Sequence, residues 1–116
     1  DFGDLVVGRQ IGAGAASSTR GLMAGGQNPG PNTDAIDTVE IASVGNATDF
    51  GDLSVSRRGP GGCSDCIRAV FVAGSTPSEQ NTMDYVHFAT KGNATDFGTS
   101  NDTGFSAGTS NGHGGL

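Results

Sequence analysis

The chain has 116 residues, 34% of them hydrophobic, with 21 glycines, no tryptophan and a formal net charge of −6. That hydrophobic share is below the about 45–50% of ordinary domains, so short strands joined by many tight turns are expected rather than one thick core. The acidic balance argues against nucleic acid or an anionic membrane as partner, since both are met by Lys/Arg clusters, and no apolar run is long enough to insert in a bilayer as a helix.

The chain opens on DFGDLVVGR (1–9), which returns as DFGDLSVSR (49–57), and Asp-Phe-Gly returns again at 96–98. The copies start at Asp1, Asp49 and Asp96, a period of 48 and then 47. The match runs on: TRGLMAGG (19–26) pairs with IRAVFVAG (67–74), and NTDAIDTVEIASVGNAT (32–48) with QNTMDYVHFATKGNAT (80–95). The organisation is therefore repeat 1 at 1–48, repeat 2 at 49–95 and a partial repeat 3 at 96–116. Opening within a repeat is what a piece of a longer or processed chain would do, and the first ten residues lack the basic and apolar regions of a signal peptide.

Each unit reads as four short extended segments. One is RGLMAGG or RAVFVAG, apolar and closed by glycine. The next, AIDTVEIAS or MDYVHFAT, alternates: Ile36, Thr38 and Glu40 project one way, Asp37, Val39 and Ile41 the other, the pattern of a half-buried strand. The third is the short DFGDL, and the fourth follows it, as in VVGRQIGAGA. Between them GGQNPGPNT (25–33) and GSTPSEQNT (74–82) supply turns, because Gly takes positive φ freely and Pro fixes φ. No segment carries a sustained helical period. Four strands per unit of this length is the sign of a propeller blade.

Several residues invite chemistry. Asp-Phe-Gly is the magnesium tripeptide of protein kinases, but that reading needs a catalytic loop and a strand lysine, and this chain has the single Lys91 and no His-Arg-Asp. Cys63-Ser-Asp-Cys66 has metal or redox spacing, yet one such pair is half a zinc site; the plainer expectation is a small buried Cys63 matching Ala15 and an exposed Cys66 matching Ser18, with a local disulfide as the alternative. The aspartates of DFGD make calcium a candidate ligand, without the spacing of a calcium loop. Asn46, Asn93 and Asn101 head N-x-Ser/Thr triplets, which are glycosylation acceptors only in a secretory host. Arg9, Arg57, Arg20 and Arg68 recur at matching positions, either as anion or sugar-acid contacts or, as repetition favours, packed along strands and paired with repeat aspartates. His113 has no nucleophile or orienting acid at a recognisable spacing, so no catalytic constellation emerges.

Two features resemble a kelch-type blade: a hydrophobic strand ending in Gly25-Gly26, and a later alternating strand with Tyr85 followed by Phe50 or Phe97 where a kelch unit has its tryptophan. More specifically, the wording NTMDYV, ATKGNATDFGDL, GGCS and TRG…AGG is similar to kelch-like repeats in tail-fibre and structural proteins of marine bacteriophages, of the cyanophage type. Two stretches depart from that pattern: SNDTGF (100–105) stands for the usual apolar run, and Gly26 meets Ser75 as its counterpart. On this reading Phe2, Phe50 and Phe97 are plugs pushed against a neighbouring unit, Gly3, Gly51 and Gly98 permit a tight bend, and Asp1, Asp49 and Asp96 bond turn amides. The resemblance implies an all-β array of kelch-like propeller blades, completed by adjacent repeats or by self-association. It implies a non-enzymatic module of a virion or other extracellular fibre, with loops that recognise a host-surface glycan or protein. An extracellular lectin or enzyme domain binding polysaccharide, with calcium, is the alternative.

Overall fold

In a computed structural model, which describes residues 1–110, the chain is all β, with no helix among the described residues. Strands β1 (Ala13–Ala16), β2 (Arg20–Ala24), β3 (Ala35–Glu40) and β4 (Thr48–Asp52) form one antiparallel meander in the order β1-β2-β3-β4. The second repeats it: β5 (Gly61–Ser64), β6 (Arg68–Val72), β8 (Ser78–His87) and β9 (Thr95–Thr103) pair in turn. A two-residue β7 (Ser75–Thr76) hooks back on the start of β8. The sheets thus carry Asp-Phe-Gly on their last strand rather than their first, one strand out of phase with the sequence frame. The segment 1–5 occupies the place of a preceding unit's last strand.

The recurring tripeptide is a β-bulge. Ile36 pairs with Gly51 and Asp37 with Asp49, so Phe50 is the extra residue on β4. In the second unit Met83 pairs with Gly98 and Asp84 with Asp96, and Phe97 is the extra one. A bulge leaves one residue outside the ladder and re-aims its side chain. The following glycine has φ of 152° at Gly51 and 138° at Gly98, a backbone that favours glycine.

The two sheets pack flank to flank. From the first unit Leu22, Ala24, Ile36, Thr38 and Phe50 turn inward and are buried. The second answers with Ala69, Phe71, Val86 and Phe88. The inner strands approach closely enough that a Cβ on Gly62 would run into the carbonyl oxygen of Gly14. At the outer edge Gly92 N donates to Phe50 O at 2.8 Å, Ala94 N to Asp52 O at 2.7 Å, and Asp52 N to Asn93 Oδ1 at 3.1 Å. A Cβ on Gly51 would strike the carbonyl of Gly92. The same set recurs where segment 1–5 meets the first unit: Gly45 N to Phe2 O, Ala47 N to Asp4 O and Asp4 N to Asn46 Oδ1.

Two expectations need correction here. The partner of Gly26 is Gly74, not Ser75: φ runs 62° and 107° at Gly25-Gly26 and 60° and 105° at Ala73-Gly74. The broken glycine is thus the first of the pair, and Ala73 takes the left-handed backbone at a steric cost of about 1–2 kcal/mol. The aspartates of DFG do not cap turns as a set; only Asp96 does, its Oδ1 accepting from Gly98 N at 3.1 Å. Asn46 and Asn93 instead reach back to the last strand of the preceding unit, their Oδ1 atoms accepting from Asp4 N and Asp52 N.

The β5–β6 turn is held by Asp65, whose Oδ1 accepts from Ile67 N and Arg68 N, both at 2.7 Å. In the first unit Ser17 Oγ accepts from Thr19 N and Arg20 N in the same place. The bonds from the Arg68 and Ile67 amides hold the Asp65 carboxyl below its ordinary 3.8. A depressed folded value means the cap is intact above that range and lost as pH falls through the folded value. An NMR titration is expected to show the Ile67 and Arg68 amides shifting together with a midpoint below 3.8; a midpoint at or above it refutes the cap.

Candidate functional site

The repeated arginines divide into two kinds. Arg57 and Asp84 form a fully buried pair, Nη1 to Oδ2 at 2.9 Å, and Asp84 also accepts from Ser54 N and Ser54 Oγ. Arg57 Nη2 donates to Phe71 O at 3.2 Å. In the first unit Arg9 Nη2 lies 2.5 Å from Asp37 Oδ2, and Val6 N donates to the same oxygen. Each pair clamps the strand that enters a unit to that unit's third strand. Arg20 instead reaches Glu40 at 2.7 Å and the carbonyl of Phe88 across the unit boundary. Arg68 is exposed and lies over the Tyr85 ring, 5.9 Å from its centroid. Tyr85 packs edge-on to Phe97 and His87.

Of the three expected plugs, Phe50 alone is buried; Phe2 is 41% exposed and Phe97 48%. The physical reason is the surroundings: Phe50 lies between its own sheet and the second unit, whereas Phe2 meets the first unit without a sheet of its own and Phe97 has no following unit against it among the described residues. Cys63 is half-buried rather than buried, Cys66 is exposed, and both are free thiols. Burial, then the carboxylates of Asp34 and Asp49, push the Asp52 carboxyl up. No group of three or more His, Cys, Asp or Glu among the described residues is placed to hold a metal ion. His113 lies outside the described residues.

The clearest convergence of polar groups is a groove at one end of the unit boundary, a cavity of about 380 Å³ lined by Gln27, Asn32, Ser56, Arg58, Thr76 and Pro77. Three connections build it: the β2–β3 loop, the β4–β5 linker and the β7–β8 turn. Pro29 and Pro31 restrict the first loop, Gly30 takes φ of 113°, and Asn28 N closes the bend on Pro31 O at 3.2 Å. Arg58 is anchored by its backbone to Ser75 through bonds of 3.1 and 2.9 Å. Its Nη1 donates to Gln27 Oε1 at 3.2 Å, while Gln27 Nε2 donates to Gly30 O and Asn32 Nδ2 to Ser75 O, each at 3.0 Å. The Nε–H of Arg58 is buried without a partner. A guanidinium, two amides and two hydroxyls offer donors for ligand oxygens. Among the described residues, no carboxylate, histidine or thiol lines the groove.

Sequence reasoning passed over Arg58. The signal was there: SRRGP stands where the first unit has GRQIG, so Arg58 falls at the place of Gln10, next to the repeated Arg9 and Arg57. No known family model matches the chain, and no curated protein is similar to it.

Proposed function

We propose that the chain is a non-enzymatic structural and adhesion module: a kelch-like array of propeller blades, of the kind carried on phage tail fibres or other extracellular fibres. It works beside adjacent repeats and presents its loops to a host-surface glycan. The side-by-side antiparallel meanders with the same bulge and the same clamp support the blade reading, since repeated residues serve the repeat. The wording of the repeats supports the fibre reading.

The observation that carries ligand binding is the convergence of the Arg58 guanidinium with two amides and two hydroxyls on one groove. An oxygen-rich ligand meets such donors with hydrogen bonds. Acidic oligosaccharides fit best, because a guanidinium meets a carboxylate through charge-assisted bonds. Binding to a panel of acidic and neutral oligosaccharides, followed by calorimetry on the best, is the test. Arg58→Ala is expected to weaken binding about ten- to hundredfold, the loss of one or two charge-assisted bonds, with little change in the urea midpoint. A flat panel, or an Arg58→Ala protein that binds as tightly as the parent, removes the groove from the proposal.

A further inference from the structure

The flank of the first unit that is buried against the second has a counterpart that, apart from segment 106–110, none of the described residues covers. Leu22, Ala24, Ile36, Thr38 and Phe50 are all buried; their equivalents Val70, Val72, Met83 and Tyr85 are only half-buried, and Phe97 is exposed. The edge of that flank is open too. Gly51 is closed by the Gly92 carbonyl, whereas the nearest atom to a Cβ on Gly98 would be Met83 Cε, at 3.6 Å.

An irregular segment, 106–110, is already laid along this flank in the place of a first strand. Ser106 N donates to Gly59 O at 3.1 Å, as Gly59 N donates to Ile11 O at 2.8 Å. Ser110 Oγ donates to Ser64 O, as Ser64 Oγ donates to Ala16 O. A Cβ on Gly108 would meet the carbonyl of Gly62, as one on Gly62 would meet that of Gly14. The inner edge of a third unit is thus in position, without that unit's second and third strands.

We propose that Val70, Val72, Met83, Tyr85 and Phe97, with the bend at Gly98, form a docking surface for a further repeat unit joined in tandem, which sets its own Gly-Asn-Ala turn against Gly98. The argument is continuity with the boundary between the two units present: equivalent positions on the strands, the same Phe bulge and the same missing Cβ. A second copy of the chain does not fit as well. Both of its Gly-Asn-Ala turns, 45–47 and 92–94, are already held, by segments 2–4 and 50–52. Its own first strand would also compete with 106–110. The surface is independent of whether the loop groove binds a ligand.

The test is a chain with a second copy of residues 53–99 inserted between Thr99 and Ser100, which adds one period and keeps the Arg57–Asp84 clamp in the added unit. Hydroxyl-radical footprinting reads the exposure of each phenylalanine, and the two copies of Phe97 fall in tryptic peptides of different sequence. Labelling of the first Phe97 is expected to drop about tenfold, to the level of Phe50, while the added Phe97 stays reactive as an internal control. Gly98→Ala at the inner copy is expected to restore the labelling, because its Cβ meets the incoming carbonyl. An extended chain in which the first Phe97 labels as fast as in the parent, or which unfolds at lower urea than the parent, overturns the proposal. A parent chain that dimerises and shields Phe97 overturns it in favour of a second copy.

Discussion

Asp84→Asn is expected to destabilise the protein by about 3–5 kcal/mol, because it strands the Arg57 guanidinium without its counter-charge in a fully buried site. That is a large fraction of the about 5–15 kcal/mol that holds a domain together, so the urea midpoint should fall sharply and the folded baseline should shrink. Asp84 also holds Ser54 through two bonds, so the linker that enters the second unit is expected to lose amide-exchange protection first. The double replacement Arg57→Met with Asp84→Leu is expected to recover most of the loss, since a buried pair often does no better than apolar residues of similar volume. A double variant as unstable as Asp84→Asn would show that the clamp does more than cancel two charges. Asp37→Asn should act in the same direction with a smaller effect. Its partner Arg9 sits on segment 1–9, which has no second unit over it and can swing into water.

The phenylalanine series carries the second large effect. Phe50→Ala is expected to cost about 3–5 kcal/mol, the usual loss for a buried aromatic truncated in a core that closes only in part. Phe97→Ala and Phe2→Ala should each cost less than about 1 kcal/mol, as exposed positions do. Three copies of one tripeptide would then differ several-fold in energy for a reason outside the tripeptide: Phe50 is 2% exposed, and the other two are 41% and 48% exposed. Chemical denaturation of the three variants checks this. Equal losses at Phe50 and Phe97 would mean that the outer flank is already part of the core.

Much of the architecture was legible from periodicity. A period of 48 and then 47, glycine-closed apolar runs and an alternating third segment led to repeated antiparallel meanders, because those patterns report on local backbone and on which side of a strand is buried. The alternation expected at Ile36, Asp37, Thr38 and Val39 placed a strand there, but its burial does not alternate: Asp37 is as buried as Ile36 and Thr38, because it pairs with Arg9. Arg9 and Arg57 were readable as partners of repeat aspartates, since residues at equal spacing meet equal surroundings.

What the pattern did not reveal depends on neighbours in space. The phase of the unit was one strand off, because identical residues mark the end of one sheet and the entry to the next. Phe2, Phe50 and Phe97 were indistinguishable as letters, and only the presence or absence of an adjoining sheet separates a core side chain from an exposed one. Asn46 and Asn93 stood out only as heads of N-x-Ser/Thr triplets, acceptors in a secretory host alone, yet they cap the strand of another unit, a contact across 41 or 42 residues that no local rule signals. The groove at Arg58 arises where three loops, distant in sequence, are brought to one end of the boundary between sheets. Repetition encodes the unit, while the packing of one unit on the next decides which of its repeated residues are core, which are clamp and which remain open.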